Sequence, residues 1–215
     1  MEWINYTLFT LGGDRPVLLI DLLSSLLGLT CVFLAGRNNK YNFWVGYLYT
    51  AALFLLFWNK NLYANLILQP ISLGINILGQ YRWSHPKEEE RVESDGSLKV
   101  SMLGWRGRFF AVVAVLALGG VWGWLLKMLG TAWFPGTFPA DPVPYLDACL
   151  TMLILIAQFL SALKKWDCWI AWLFVNIFQI ILHLSVGHIF MPIVSGLYLI
   201  NGVVSLLNWY KLYKK

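Results

Sequence analysis

The chain has 215 residues, of which 59% are hydrophobic and 13% are charged, and its formal net charge is +5. A soluble domain carries about half apolar and about a quarter charged residues, so the composition excludes an ordinary soluble protein. It predicts an all-α integral membrane protein, whose basic excess faces anionic membrane lipid rather than nucleic acid.

A helix needs about 20 largely uncharged residues to cross a bilayer, and the chain contains seven such stretches. Residues 84–108, between the third and fourth stretches, are a predicted cytoplasmic linker, and its charged part, His85–Lys99, is expected to have little to bury. The start of the chain lacks the pattern of a cleavable signal peptide, so we expect the first helix to be retained. The predicted spans are Val17–Gly36, Phe43–Trp58, Leu62–Trp83, Phe109–Leu129, Tyr145–Leu163, Cys168–Val186 and Ile189–Tyr210.

The distribution of lysine and arginine predicts how the chain is oriented. If the N-terminus lies outside, 13 of the 16 basic residues fall in cytoplasmic segments, and only Arg15, Lys60 and Lys127 fall outside. Cytoplasmic loops of membrane proteins carry an excess of basic residues. We therefore expect an outer N-terminus and a cytoplasmic C-terminus.

Two parts of the sequence resemble each other and predict an internal repeat. Asp21 and Trp83 are 62 residues apart (83 − 21), and so are Asp147 and Trp209 (209 − 147). The segment YNFWVGY (41–47) aligns with WDCWIAW (166–172), which pairs Trp44 with Trp169. Three helices, one linking helix and three further helices leave the two halves parallel, as in SWEET-type transporters with substrate between the halves. The predicted units are a first triple-helix bundle (17–83), the linker (84–108), helix four (109–129) and a second bundle (144–210).

Polar and aromatic residues follow one face of the predicted third, sixth and seventh helices. In the sixth, Trp169, Trp172, Asn176 and Gln179 fall within an arc of about 80° at 100° per residue. Amides in hydrocarbon cost free energy unless they find partners, so such faces normally turn toward the bundle interior or a cavity. The candidate binding residues are Trp169, Trp172, Asn176, Gln179, Gln69, Asn76, Tyr198 and Asn201.

These faces hold amides and indoles but no charged side chain near mid-span. Such a site suits an uncharged or cationic ring compound with hydroxyl and amide groups, of the nucleoside kind. A phosphorylated ligand would find no cationic clamp. The alternative interpretation is that the same residues only join neighbouring helices.

Tryptophans near the ends of spans are typical of the membrane interface, and we expect six of them there. Asp21 and Asp147 are expected in the first turn of their helices, where a negative charge meets the helix dipole favourably; proton coupling is the alternative. The expected interfacial tryptophans are Trp44, Trp58, Trp83, Trp105, Trp166 and Trp209.

The sequence predicts no catalytic centre, metal site or cofactor. The three cysteines lie in or beside apolar spans at no metal-ligand spacing, and there is no nucleotide-binding GxxxxGK[ST] motif. A membrane enzyme is the weaker alternative, since His85, His183 and His188 are scattered. A retinal-binding receptor is also a weak alternative. Such a receptor needs a lysine within its last span for the Schiff base, and the last predicted helix has only Lys211, at its cytoplasmic end.

The sequence resembles the PnuC family of bacterial vitamin-precursor transporters. The resemblance rests on LYANLILQ (62–69), GQYRW (79–83) and KKWDCWIAWLFVN (164–176), with Asn201 and Trp209 further on. It implies a SWEET-like homotrimer in the inner membrane that carries nicotinamide riboside by facilitated diffusion, with uptake driven by cytosolic phosphorylation and trapping. It also implies that Trp169 and Trp172 stack on the nicotinamide ring. Relatives in the wider group transport thiamine, riboflavin or deoxynucleosides, and these substrates stay open.

Overall fold

The computed structural model describes residues 6–10, 16–59, 63–88, 90, 96–133, 144–185 and 190–214. A short antiparallel hairpin of β1 (Thr7–Thr10) and β2 (Pro16–Leu18), which the sequence did not predict, precedes the first helix. The helices are α1 (Leu19–Gly36), α2 (Asn42–Asn59), α3 (Tyr63–Ser84), α4 (Trp105–Met128), α5 (Pro144–Ala162), α6 (Asp167–Ser185) and α7 (Phe190–Lys214).

Each of the seven predicted stretches overlaps one of these helices. Four helices of the described chain are long and apolar enough to cross a membrane: α1, α5, α7, and α4 together with the π-helical turn Leu129–Trp133. Helix α3 is the least apolar of the seven because it carries amides, such as Gln69 and Asn76, on one face, and α6 has a shorter apolar stretch, Asp167–Ile181. A bundle can accept such helices when the polar face turns away from lipid.

The fourth helix begins at Trp105, four residues before the predicted boundary at Phe109. The predicted span begins after the last charged residue of the linker, whereas Arg106 and Arg108 lie in the first turn of the observed helix. The guanidinium of Arg108 is satisfied there, since its Nε donates to Asp167 Oδ1 at 2.8 Å.

Six helices form a closed ring, in the order α1, α2, α3, α5, α6, α7 and back to α1. Helix α4 lies outside this ring and packs against α5. Small residues permit that approach: a Cβ at Gly119 would come within 2.7 Å of Cys149 Sγ, and one at Gly123 within 2.7 Å of the Tyr145 ring. The ring is what creates an enclosed space along its axis.

Two tryptophans predicted to lie at the membrane interface are instead buried in the core. Trp83 is 3% exposed and Trp209 is fully buried, whereas Trp105 is 82% exposed, as expected of an interfacial residue. The indole Nε1 of Trp83 donates to the carbonyl of Ser161 at 3.1 Å, and that of Trp209 to the carbonyl of Ala35 at 3.0 Å. The last carbonyls of a helix have no partner within the helix. Those at the ends of α5 and α1 are therefore available as acceptors, and the two indoles point inward to reach them.

The turns that follow α1 and α5 have the same backbone conformation. Asn38 and Lys164, 126 residues apart (164 − 38), both have positive φ, at 58° and 54°. Their backbone N–H groups donate to Ala35 and Ser161 respectively, each at 2.9 Å. These turns and the ends of α3 and α7 lie at one end of the bundle, which we call the basic end.

Aromatic contacts at the basic end follow the same spacing. Phe43 packs edge-to-face on Trp83 at 5.0 Å between ring centroids, and Trp169 packs edge-to-face on Trp209 at 5.6 Å. Phe43 and Trp169 are 126 residues apart (169 − 43), the spacing of the two turns. The sequence alignment instead pairs Trp44 with Trp169, one residue away from this spacing, because it matches aromatic residues without regard to their burial.

The last part of the predicted linker, residues 98–103, is packed against the turn between α5 and α6, and we call it the linker segment. Leu98 and Val100 are buried. The N–H of Leu98 donates to the carbonyl of Trp83 at 3.1 Å, and that of Ser101 to the carbonyl of Lys164 at 3.0 Å. The expectation that the charged part of the linker has little to bury is therefore wrong at Leu98.

The turn residue Lys164 provides a stability test. Lys164→Gly removes the strain of a left-handed backbone, about 1–2 kcal/mol, but also removes the Nζ bond to the Leu98 carbonyl and the cation–π contact with Trp83. A bond from a charged group contributes about 1.5–3 kcal/mol and the cation–π contact about 0.5–2 kcal/mol. We expect net destabilisation by about 1–3 kcal/mol in an unfolding titration of the purified protein.

Asn38→Gly is the matched control at the equivalent turn. Asn38 Oδ1 is buried and has no hydrogen-bond partner in the described part of the chain, and asparagine tolerates this backbone region. We expect a change within about 0.5 kcal/mol, since relief of strain and the entropy cost of glycine offset each other. Equal losses in the two variants would show that the contacts of the Lys164 side chain do not stabilise the fold.

Candidate functional site

Two adjoining cavities lie along the axis of the ring. The basic-end chamber has a volume of about 110 Å³ and is lined by residues near the tryptophans at that end, including Phe43, Ser161 and Trp169. The central chamber is larger, about 280 Å³, and extends to Asn65 and Gln179. Residues shared by the two walls are Val32, Tyr49, Thr50, Ser72, Gln158 and Trp172.

Every helix of the ring contributes to the walls of these chambers. The helices α3, α5 and α6 supply most of the amides, and the aromatic side chains come from α2, α6 and α7. No residue of α4 lines either chamber. The enclosed space therefore belongs to the six-helix ring.

Seven of the eight predicted binding residues line one or both chambers. Trp172 lies where the two chambers meet. Asn201 lines neither; its Nδ2 is buried without a hydrogen-bond partner among the described residues. Whether the seven bind a ligand stays a prediction. The basic-end chamber has Trp169 and Asn76 in its wall, and the central chamber has Asn176, Gln179, Gln69 and Tyr198.

The two tryptophans of α6 are placed differently. Trp169 is 1% exposed and packs on Trp209, so most of its surface is already covered by protein. Trp172 is only partly buried and borders both chambers. Of the pair, Trp172 has the free ring surface that an aromatic ligand would need.

Several amides of the wall are held in place by neighbouring groups. Asn76 Nδ2 donates to the carbonyl of Phe43 at 3.2 Å, and Gln69 Nε2 donates to the carbonyl of Asn65 at 3.1 Å. Each amide has a second N–H and an acceptor oxygen. Fixed amides of this kind can hydrogen-bond a ligand at little further cost in side-chain entropy.

Gln158 is a wall residue that the sequence reading missed. Its Oε1 accepts a hydrogen bond from Ser72 Oγ at 3.0 Å across the junction of α3 and α5. It borders both chambers. Gln158 is the only amide in the predicted span Tyr145–Leu163, so the argument that selected α3 and α6 would have found it had single amides been considered.

The described walls contain no charged residue. Neither chamber is lined by lysine, arginine, histidine, aspartate or glutamate. Asp21, one of the residues considered for proton coupling, instead lies in the first turn of α1, where its Oδ2 accepts from the Leu18 N–H at 3.2 Å. Walls of this kind offer a ligand shape, hydrogen bonds and ring contacts, and no charge.

A model of the nicotinamide mononucleotide transporter family matches residues 18–211, which is nearly the whole chain and reaches from the start of α1 to the last turn of α7. The chain belongs to the PnuC family of membrane transporters. This confirms the resemblance seen in the sequence. Together with the four strongly apolar helices, it makes the protein a multi-pass membrane protein.

Relatives within this transporter family have different substrates in their names. The nicotinamide riboside transporter PnuC of Escherichia coli is 24% identical over 186 residues, covering 80% of this chain and 76% of its own. The riboflavin/roseoflavin transporter RibM of Streptomyces davaonensis is 26% identical over 198 residues, covering 92% and 87%.

The fold is also found in a crystal structure of a PnuC-family protein. The structure of the vitamin B3 transporter PnuC superposes with a TM-score of 0.67 at 21% identity, covering 91% of this chain and 82% of that one. At this level of identity the likeness concerns the fold, and the substrate has to be argued from the residues of the cavity.

Gly28 lies where α1 approaches the cavity residues Tyr49 and Tyr198. A Cβ at Gly28 would come within 2.0 Å of the Tyr198 hydroxyl and 2.9 Å of the Tyr49 ring. Gly28→Ala should displace both rings and destabilise the protein by about 1–3 kcal/mol, the usual cost of overpacking. Thermal unfolding in detergent measures the effect.

Gly74→Ala in α3 is the control, because nothing lies within 4 Å of a Cβ at that position. Alanine in a helix interior is favoured over glycine by about 0.5–1 kcal/mol, so this variant should be as stable as the parent or more so. A Gly28→Ala variant with unchanged stability would contradict the close packing of α1 against the two tyrosines.

Proposed function

We propose that this protein is a facilitated-diffusion transporter of nicotinamide riboside in the bacterial inner membrane, with net uptake driven by cytosolic phosphorylation and trapping. The observation that carries the proposal is an uncharged cavity with amide and aromatic walls on the axis of a six-helix ring. The N-terminus lies outside and the C-terminus inside. The distribution of lysine and arginine supports that orientation.

The chemistry of the wall fits the parts of a nucleoside with a cationic base. A pyridinium ring is attracted to an indole face, by about 0.5–2 kcal/mol, and Trp172 borders both chambers. The carboxamide and the ribose hydroxyls need donors and acceptors, which Asn176, Gln179 and Gln69 supply in the central chamber. Gln158 joins this set.

The absence of a cation from the described walls favours the riboside over the mononucleotide that the family's description names. A phosphate group carries about −1.5 to −2 charges at neutral pH and is usually held by arginine, lysine or a helix N-terminus. Burying it among amides alone would be costly. The same lack of carboxylates in the walls supports passive transport rather than ion coupling.

The proposed architecture is seven transmembrane helices in a three-plus-one-plus-three parallel repeat of the SWEET type. Matching turns at Asn38 and Lys164 and matching ring contacts support equivalent halves, α1–α3 and α5–α7. The linking helix α4 exposes large apolar side chains such as Phe110 and Leu116. That surface supports burial against lipid or, in a homotrimer, a neighbouring subunit.

Riboflavin is the second candidate substrate, because the match to RibM covers 92% of this chain. Thiamine and deoxynucleosides share the same ring-and-hydroxyl chemistry. None of these substrates changes the proposed passive mechanism.

Uptake into proteoliposomes tests the proposal. We expect labelled nicotinamide riboside to equilibrate without ATP or an ion gradient. Unlabelled riboside in tenfold excess should abolish the signal, and nicotinamide mononucleotide at the same concentration should compete at least about tenfold less well. Stronger competition by riboflavin would make riboflavin the substrate, and equal competition by the mononucleotide would contradict the argument from wall charge.

Binding measured by calorimetry tests the wall residues. Trp172→Ala and Asn176→Leu should each weaken binding of nicotinamide riboside by at least about tenfold, or roughly 1.4 kcal/mol. Gln158→Leu keeps a similar volume and should weaken it by about fivefold, the effect of one lost neutral hydrogen bond.

Trp44→Ala is the control for these variants, since Trp44 is largely exposed on the outside of the ring near the start of α2. Its affinity should match that of the parent. Unchanged affinity in all three wall variants would leave those residues with the structural role of joining helices.

A further inference from the structure

Two hydrogen bonds close the ring at the basic end, one at each junction between the halves. Trp83 of α3 donates to Ser161 of α5, and Trp209 of α7 donates to Ala35 of α1. The two indoles are also in contact with each other, with 5.8 Å between ring centroids. Ala35 and Ser161 line the basic-end chamber, so these junctions form its floor.

The Trp83 junction is reinforced by further contacts. The Lys164 ammonium lies over the Trp83 ring, 4.7 Å from its centroid, and Nζ donates to the carbonyl of Leu98. The N–H of Leu98 in turn donates to the Trp83 carbonyl. The linker segment thus ties the end of α3 to the turn between α5 and α6.

Additional bonds fix the other end of the linker segment to the second half. Ser101 exchanges backbone bonds with Lys164 and Trp166, each at 3.0 Å. The N–H of Leu103 donates to Asp167 Oδ2 at 2.7 Å, and Lys165 Nζ donates to Ser101 Oγ at 2.8 Å. Among the described residues, no segment bridges the Trp209 junction in this way.

We propose that the Trp83 junction is a hinge and that the Trp209 junction is the one that opens, giving access to the cavity from the basic end. Among the described residues, separating α7 from α1 breaks one hydrogen bond, between Trp209 and Ala35. Separating α3 from α5 would break the equivalent bond and also those made by Lys164 and the linker segment. Because the opening junction borders the basic-end chamber, its separation exposes that chamber directly. The inference rests on the ring and its closure, and it holds whichever solute is carried.

The thiol of Cys31 reports on this opening, because it lines the basic-end chamber. The full chain, purified in detergent, is treated with a charged, hydrophilic maleimide, and modification at each cysteine is followed by peptide mass spectrometry. Trp209→Phe and Trp83→Phe keep an aromatic ring and remove the indole N–H. Trp105→Phe, at an exposed site, is the matched control.

We expect Trp209→Phe to raise the rate of Cys31 modification about fivefold, equivalent to about 1 kcal/mol of closing free energy. Trp83→Phe should raise it less than twofold, because the linker segment still holds that junction, and Trp105→Phe should leave it unchanged. Cys168 is fully buried and should stay unmodified in every variant, which shows that the fold is intact.

Other results would overturn the proposal. Equal acceleration in Trp209→Phe and Trp83→Phe would mean that both junctions open together. Acceleration in Trp83→Phe alone would mean that the Trp83 junction opens and that the Trp209 junction is the hinge. No acceleration in either would mean that the tryptophans do not control access. None of these readouts uses a substrate, so a wrong assignment of nicotinamide riboside would leave the result unaffected.

A pair of cross-links gives a second test if a tryptophan variant does not fold. The Cβ of a residue at Gly36 lies 2.7 Å from Ser205 Cβ at the opening junction, and that of Gly79 lies 3.1 Å from Ala162 Cβ at the hinge. Both approach the 3.5–4.5 Å of a disulfide. Oxidising the G36C/S205C pair should slow Cys31 modification at least fivefold, and oxidising G79C/A162C should leave it unchanged. The reverse order would contradict the proposal.

Discussion

The structure depends on one constraint: an N–H group held away from water costs free energy unless it finds an acceptor within the protein. The helices of the ring carry indoles and amides, and in an apolar surrounding each unpaired donor costs several kcal/mol. Trp83 and Trp209 satisfy this constraint by reaching across to carbonyls at the ends of helices in the other half. The need of each indole N–H for an acceptor thus joins the two halves into a ring.

The same constraint explains how the cavity can be polar without charges. Asn76 and Gln69 are each bonded to a backbone carbonyl, and Gln158 is bonded to Ser72. Their remaining hydrogen-bonding groups are available to a ligand. A wall built from neutral amides avoids the desolvation cost of a buried ion.

Much of this architecture could be predicted from the sequence. The length of each uncharged stretch locates a helix, and the angular positions of its polar residues identify the face that turns inward. Seven helices lie where uncharged stretches were found, and the faces of α3 and α6 turn toward the cavity. The tryptophans at the basic end were placed wrongly, since position near the end of a span does not show which way an indole points. The linker segment was missed for a related reason: its two buried apolar residues, Leu98 and Val100, directly follow a charged stretch, and their burial depends on the turn between α5 and α6, which is distant in sequence. Gln158 was missed because a single amide shows no periodicity.

The turns at Asn38 and Lys164 lie 126 residues apart (164 − 38), and the ring contacts beside them have the spacing of the proposed repeat. Cavity positions with the same spacing hold different side chains: Thr50 and Asn176, or Ser72 and Tyr198. In the proposed repeat the elements that close the ring are therefore alike in the two halves, whereas the walls differ. Substitutions in the wall would change the chemistry of the lining and leave the closing elements untouched.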